Sequence, residues 1–144
     1  MAFASIPETL EELKAGKMIV LVDDEDRENE GDLIIAAQSL TTEKLAFMLR
    51  HTSGVVCVAI TRARACELQL PLMVADNSES HRTQFTVSVD LAADTTTGIS
   101  AADRSRTIRA LGSRESSAAS FVRPGHVFPL RARCGGVLER QGHT

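Results

Sequence analysis

The sequence predicts a compact domain of mixed helices and short strands, an α/β or α+β fold. Three observations carry that expectation. Apolar runs at 18–22 and 55–60 have strand length and are far too short to cross a bilayer. Segments with helical start and stop signals alternate with them. With 144 residues, 43% apolar and 24% charged, the chain has the size and balance of one soluble globular core.

The first element is a short helix at 7–16, Pro7-Glu8-Thr9-Leu10-Glu11-Glu12-Leu13-Lys14-Ala15-Gly16. Proline stands near its start, acids fill its first turns, and glycine follows its end. Residues 18–22 form a buried strand and 33–37 a second apolar strand, with an acidic segment between them. Thr41 or Thr42 caps a helix reaching about Arg50, with Leu45, Met48 and Leu49 as its inward stripe. Residues 55–60 are another internal strand, and 62–70 a short helix ended near Pro71. The segment 75–83 is polar and loop-like. In 84–90, Phe85, Val87 and Val89 alternate inward. Ser100 caps a helix through Arg109 or Leu111, with Asp103 placed to complete the cap. A glycine- and serine-containing link leads to Arg123-Pro124-Gly125-His126, and 127–144 has irregular turns around Gly135-Gly136 and Gly142.

A net charge of −3 gives no general reason to bind nucleic acid or an anionic membrane, and no basic stripe carries interleaved aromatics. The aromatics are five Phe, without Tyr or Trp, so the core rests on Ile, Val, Leu, Met and Ala. Cys57, Cys66 and Cys134 form no CxxC pair. Their odd number, without an evident signal peptide, points to a reducing cytoplasm.

Seven carboxylates crowd residues 23–32, between two apolar segments. A solvated acidic turn is the plain explanation of such a run. The strand-to-loop context supports a binding edge instead, because clustered carboxylates need a divalent cation or a polar ligand to offset their repulsion. Oxygen donors suit Mg²⁺ or Mn²⁺. An EF-hand does not fit: its alternating oxygen positions are missing and Gly31 falls in the wrong place.

A second polar concentration holds Arg123, His126, Arg131, Arg133, Arg140, His143 and Thr144. Arginine grips phosphate through two parallel bonds, and histidine either ligates a metal or carries a proton. Taken singly, each histidine is better explained by an ordinary hydrogen bond than by catalysis or ligation. Asp90 and Asp94 read as turn residues, Cys57 as packing, and His51 and His81 as loop or helix-end residues without a recognisable partner. The run Thr95-Thr96-Thr97-Gly98 either ends a strand or offers hydroxyls to a polar substrate.

Taken together, these blocks resemble a known family. The run Asp23-Asp24-Glu25-Asp26-Arg27-Glu28-Asn29-Glu30-Gly31-Asp32-Leu33-Ile34 resembles the N-terminal signature of 3,4-dihydroxy-2-butanone 4-phosphate synthase. So do His51-Thr52-Ser53-Gly54-Val55-Val56-Cys57 and Thr96-Thr97-Gly98-Ile99-Ser100-Ala101-Ala102-Asp103-Arg104. Arg123-Pro124-Gly125-His126-Val127-Phe128-Pro129-Leu130-Arg131, Gly135-Gly136-Val137-Leu138 and Arg140-Gln141-Gly142-His143-Thr144 follow in the family's order.

The resemblance implies a compact α+β domain over 1–144, a mixed three-layer sandwich of that family's type. It implies a lyase of riboflavin biosynthesis that converts D-ribulose 5-phosphate to 3,4-dihydroxy-2-butanone 4-phosphate and formate with Mg²⁺ or Mn²⁺. A cytoplasmic homodimer with active sites near the subunit interface is expected. The family pattern carries metal ligation onto Glu28 and His143, and catalysis onto His126 and Glu28. It carries substrate binding onto Arg27, Glu28, Asp32, Arg140, Gln141, Gly142, His143 and Thr144. Gln141 departs from the glycine or proline common there. Family domains usually run several dozen residues further and include another essential glutamate, so a C-terminally shortened domain, inactive or weakly active, is expected. In some organisms the domain is fused to GTP cyclohydrolase II. The alternative is a noncatalytic divalent-metal or phosphosugar-binding fragment.

Overall fold

The structure, a computed structural model, describes residues 3–139. Its element order begins with helix α1 (Ile6–Lys14), strand β1 (Ile19–Val22) and strand β2 (Gly31–Ile34). Helix α2 (Thr42–His51), strand β3 (Cys57–Ile60) and helix α3 (Arg62–Glu67) follow. Strand β4 (Val89–Leu91), helix α4 (Ala101–Gly112) and strand β5 (Phe121–Arg131) complete an α+β fold.

The helices begin where side-chain caps dictate. Ser5, Thr41, Thr61 and Ser100 each accept a backbone N–H from the first turn of the helix that follows. Ser5 and Glu8 form a reciprocal capping box. Leu45 of α2 is fully buried, with Met48 and Leu49 packed beside the core, as the helical spacing predicts.

Strands β1 and β2 form an antiparallel ribbon, with Val22 opposite Gly31 and Ile19 opposite Ile34. The acidic segment is the loop at its tip. The expected burial of β1 is corrected: Val20 is 66% and Val22 46% exposed. A two-stranded ribbon has two faces, and among the described residues only the Ile19 and Leu21 side is partly covered.

A second sheet has the order β3-β5-β4, with β5 central. It pairs parallel with β3 and antiparallel with β4. Residues 121–131, for which no strand is expected from the sequence, form the longest described strand. Pro124, Gly125 and Pro129 disguise it, because proline lacks a ladder donor. The Pro129 carbonyl still accepts the Thr86 N–H at 2.9 Å.

The alternation at 84–90 is also corrected. Thr86 is fully buried and Ser88 is buried, while Phe85 and Val87 are only partly covered. Their hydroxyls explain it: Thr86 Oγ1 donates to the Pro129 carbonyl at 3.1 Å, and Ser88 Oγ accepts the Gly125 N–H at 3.1 Å. Paired polar groups enter an interior at little cost. Val89 is fully buried as expected.

Helix α4 packs against the sheet and against α2, and the core closes around Leu45, Leu68, Leu111, Val89 and Val127. Burying each leucine contributes about 1.5–3 kcal/mol. Among the described residues, no helix is long and apolar enough to cross a membrane.

Candidate functional site

The acidic loop is organised from within. Asp23 Oδ2 lies 2.6 Å from Arg27 Nη1 and accepts the Glu28 N–H at 3.2 Å; Asp23 Oδ1 accepts the Glu30 N–H at 3.0 Å. One carboxylate thus gathers the loop around itself. Asn29 supplies the left-handed residue the bend needs, at φ 49°. The Asp23 contact, followed by the Glu28 charge, raises the Arg27 pKa above its ordinary value. Arg27 Nη2 reaches Glu28 Oε1 at 3.0 Å.

His81 stands 3.5 Å from Glu28 Oε1, so the sequence-based view of it as partnerless is corrected. No local signal announces this pair, since 53 positions separate residues 28 and 81 and only the fold joins them. Glu79 shapes the turn that presents His81. Its carboxylate accepts the His81 and Thr83 N–H groups at 2.7 and 2.9 Å, and these bonds hold its pKa down at about 2.

Arg27, Glu28 and Asp32 line one cleft of about 1100 Å³, together with Glu30, His51 and Cys57. Leucine, isoleucine and valine side chains form much of its wall. Burial, reinforced by the Asp32 charge, pushes the Cys57 thiol up to about 11. Cys57 is therefore a neutral thiol near pH 7.

His126 is not among the residues lining that cleft. It sits on β5, where Val89 pairs with Val127 but Asp90 pairs with Val122. Residues 123–126 are extra against β4, a bulge that lifts His126 out of the ladder. Asp90 binds it twice: Oδ1 accepts the His126 N–H at 2.9 Å, and Oδ2 lies 2.6 Å from Nδ1. Asp90 was expected to be a turn residue, and its role against His126 is visible only in the fold.

The threonine run is used internally. Thr96 Oγ1 donates to Asp103 Oδ2 at 2.8 Å, and Thr95 Oγ1 donates to the Leu91 carbonyl at 2.7 Å. Asp103 also accepts the Thr96 and Gly98 N–H groups, each at 3.2 Å. These bonds, led by the Thr96 hydroxyl, lower its pKa. Its carboxylate ties the preceding loop to α4 rather than only completing the Ser100 cap. Arg123 donates to the Leu68 carbonyl at 2.6 Å and is a structural tie.

The donors fit a hard divalent cation in kind, because Glu28, Glu30 and Asp32 offer carboxylate oxygens to one cleft. Among the described residues, no group of three or more His, Cys, Asp or Glu is placed to hold a metal. Arg140, Gln141, Gly142, His143 and Thr144 lie outside the described residues.

Residues 7–144 match the family model of 3,4-dihydroxy-2-butanone 4-phosphate synthase. The 3,4-dihydroxy-2-butanone 4-phosphate synthase of Agrobacterium fabrum is 55% identical over 144 residues, covering 100% of this chain and 68% of that protein. The monofunctional riboflavin biosynthesis protein RIBA 2, chloroplastic, of Arabidopsis thaliana is 56% identical, over 99% of this chain but 30% of that protein. A crystal structure of 3,4-dihydroxy-2-butanone 4-phosphate synthase in complex with two magnesium ions superposes with a TM-score of 0.96 at 51% identity. That match covers 98% of this chain and 66% of the other. A cation-free structure of such a synthase gives 0.91 at 50% identity, over 99% and 65%.

Proposed function

The chain belongs to the 3,4-dihydroxy-2-butanone 4-phosphate synthase family, and from that premise we propose that it is the lyase domain converting D-ribulose 5-phosphate to 3,4-dihydroxy-2-butanone 4-phosphate and formate. The observation that carries this reading is the meeting of Arg27, Glu28 and Asp32 on one cleft. The two products together are isomeric with the substrate, so no oxidant or co-substrate is needed.

Each candidate site residue has a task in this reading. Arg27 is a fixed cation whose guanidinium holds Glu28 in place, and Asp32 receives substrate hydroxyls. Glu28 and His126 handle the protons when the carbon beside the C2 carbonyl gives up its proton to form an enediolate. Loss of the C1 hydroxyl and skeletal rearrangement follow, and hydration then releases C4 as formate. Arg140 with Gln141, Gly142, His143 and Thr144 grips the phosphate, which converts binding energy into orientation of the reacting carbons. Glu28 and His143 would hold Mg²⁺ or Mn²⁺. The bound cation supplies charge stabilisation for oxygen anions.

A cytoplasmic homodimer belongs to the same proposal. The exposed Val20 and Val22 side chains on the β1–β2 ribbon support a subunit contact there.

The test is formate production from D-ribulose 5-phosphate with and without Mg²⁺, on chain shown to be folded. Metal-dependent formate release is the expected result. A folded chain that binds the sugar phosphate but releases no formate would replace the lyase reading with a binding one.

A further inference from the structure

The Asp90–His126 pair has a geometry that determines which imidazole nitrogen is free. Asp90 Oδ1 is committed to the His126 backbone N–H at 2.9 Å, which leaves Oδ2 facing Nδ1 at 2.6 Å. An ionised carboxylate only accepts hydrogen bonds, so Nδ1 carries the proton. The neutral ring then keeps its lone pair on Nε2. The Asp90 side chain is 8% exposed and that of His126 42%, so the pair is buried on the aspartate side and open on the ring side.

The surroundings hold this arrangement from several directions. Ser88 Oγ accepts the Gly125 N–H at 3.1 Å, which anchors the bulge one residue before His126. Gly98, at φ +88°, closes over the pair: a Cβ there would stand 2.1 Å from Asp90 Oδ2 and 2.9 Å from His126 Nδ1. Half-buried Arg104 feels the Asp90 charge, which partly offsets the lowering of its pKa by burial. Its Nε has no hydrogen-bond partner among the described residues.

We infer that Asp90 is a positioning residue that holds His126 in the Nδ1–H tautomer and makes Nε2 the nitrogen presented to the substrate. The catalytic consequence rests on the lyase reading above, whereas the tautomer does not.

The variant Asp90→Asn separates the two. Its carboxamide oxygen stays on the His126 backbone N–H, which places the NH₂ donor against Nδ1 and turns the ring into its Nε2–H form. In ¹⁵N-resolved imidazole spectra of the full chain near neutral pH, the wild type should show a protonated Nδ1. The variant should show a protonated Nε2, with a melting temperature within about 5 °C of wild type. In formate release, kcat should fall roughly 100-fold or more while KM changes by less than about threefold. Asp90→Glu should restore the wild-type tautomer and part of kcat. A wild-type ring protonated at Nε2 would overturn the inference without any variant. So would an inverted tautomer in Asp90→Asn with kcat unchanged. If the wild type released no formate, the reaction reading would fail, and the spectra would still decide the tautomer.

Discussion

Asp23 meets Arg27 at 2.6 Å with the same carboxylate that accepts the Glu28 and Glu30 N–H groups. The loop that offers Glu28 to the cleft is thus built around a residue that is itself largely withdrawn from solvent. Asp23→Asn keeps the size but loses the charge, and it places a donor against either Arg27 or a backbone N–H. We expect Mg²⁺ affinity, measured by titration calorimetry, to fall about tenfold while the fold survives. Unchanged affinity would show that the loop keeps its shape without this contact.

Gly125 and Gly54 should respond oppositely to the same change. A Cβ on Gly125 would lie 2.0 Å from the Val89 carbonyl carbon and 2.2 Å from the Asp90 nitrogen, both backbone atoms that cannot step aside. Nothing stands within 4 Å of a Cβ on Gly54. Urea unfolding should find Gly125→Ala destabilised by about 3 kcal/mol or unable to fold. Gly54→Ala should stay within about 0.5 kcal/mol of wild type.

Glu79 makes the turn at 79–83 sensitive to acid. Its pKa drops from 4.5 to about 2 through the Thr83 and His81 N–H bonds. A carboxylate depressed on folding contributes stability above its unfolded value, and that contribution is lost as pH falls from about 4.5 towards 2. Amide protection factors of His81 and Thr83 should therefore decline across that window. Glu79→Gln should make them low and flat with pH; a wild-type profile flat to pH 2 would contradict the assignment.

The three thiols should label in a set order. Cys66 and Cys134 are exposed, whereas the Cys57 thiol, pushed up to about 11, is almost wholly protonated near neutrality. Mass spectrometry after brief iodoacetamide treatment at pH 7.5 should find Cys57 modified last. Asp32→Asn removes one of the two causes and should quicken its labelling modestly. Labelling of Cys57 first would require a thiolate that these surroundings do not support.

Helix starts were legible because capping is local: Thr41 and Ser100 lie within three residues of the N–H groups they satisfy. Strand β5 was not legible, because Pro124, Gly125 and Pro129 are breakers wherever a neighbouring strand does not accommodate them. Gly125 is there for the close approach of β4, a requirement imposed from residues 36 positions away. The burial of Thr86 and Ser88 escaped period-2 reasoning for the same reason, since their partners lie on β5. The acidic loop stood out in the sequence through its density of charge. His81 and Asp90 stayed hidden, because a single His or Asp gains meaning only from the side chain set against it.

The sheet order also has a temporal consequence. Strands β3 and β4 do not pair with each other; each pairs with β5, the last described strand in the chain. During synthesis, β3 therefore waits for more than sixty residues before its parallel partner appears. Non-local, partly parallel pairing is slow to form, and unpaired strand edges invite association in the interval. The helices, capped locally, are free to form early, while completion of the sheet and alignment of His126 with Asp90 come together as a late event in folding.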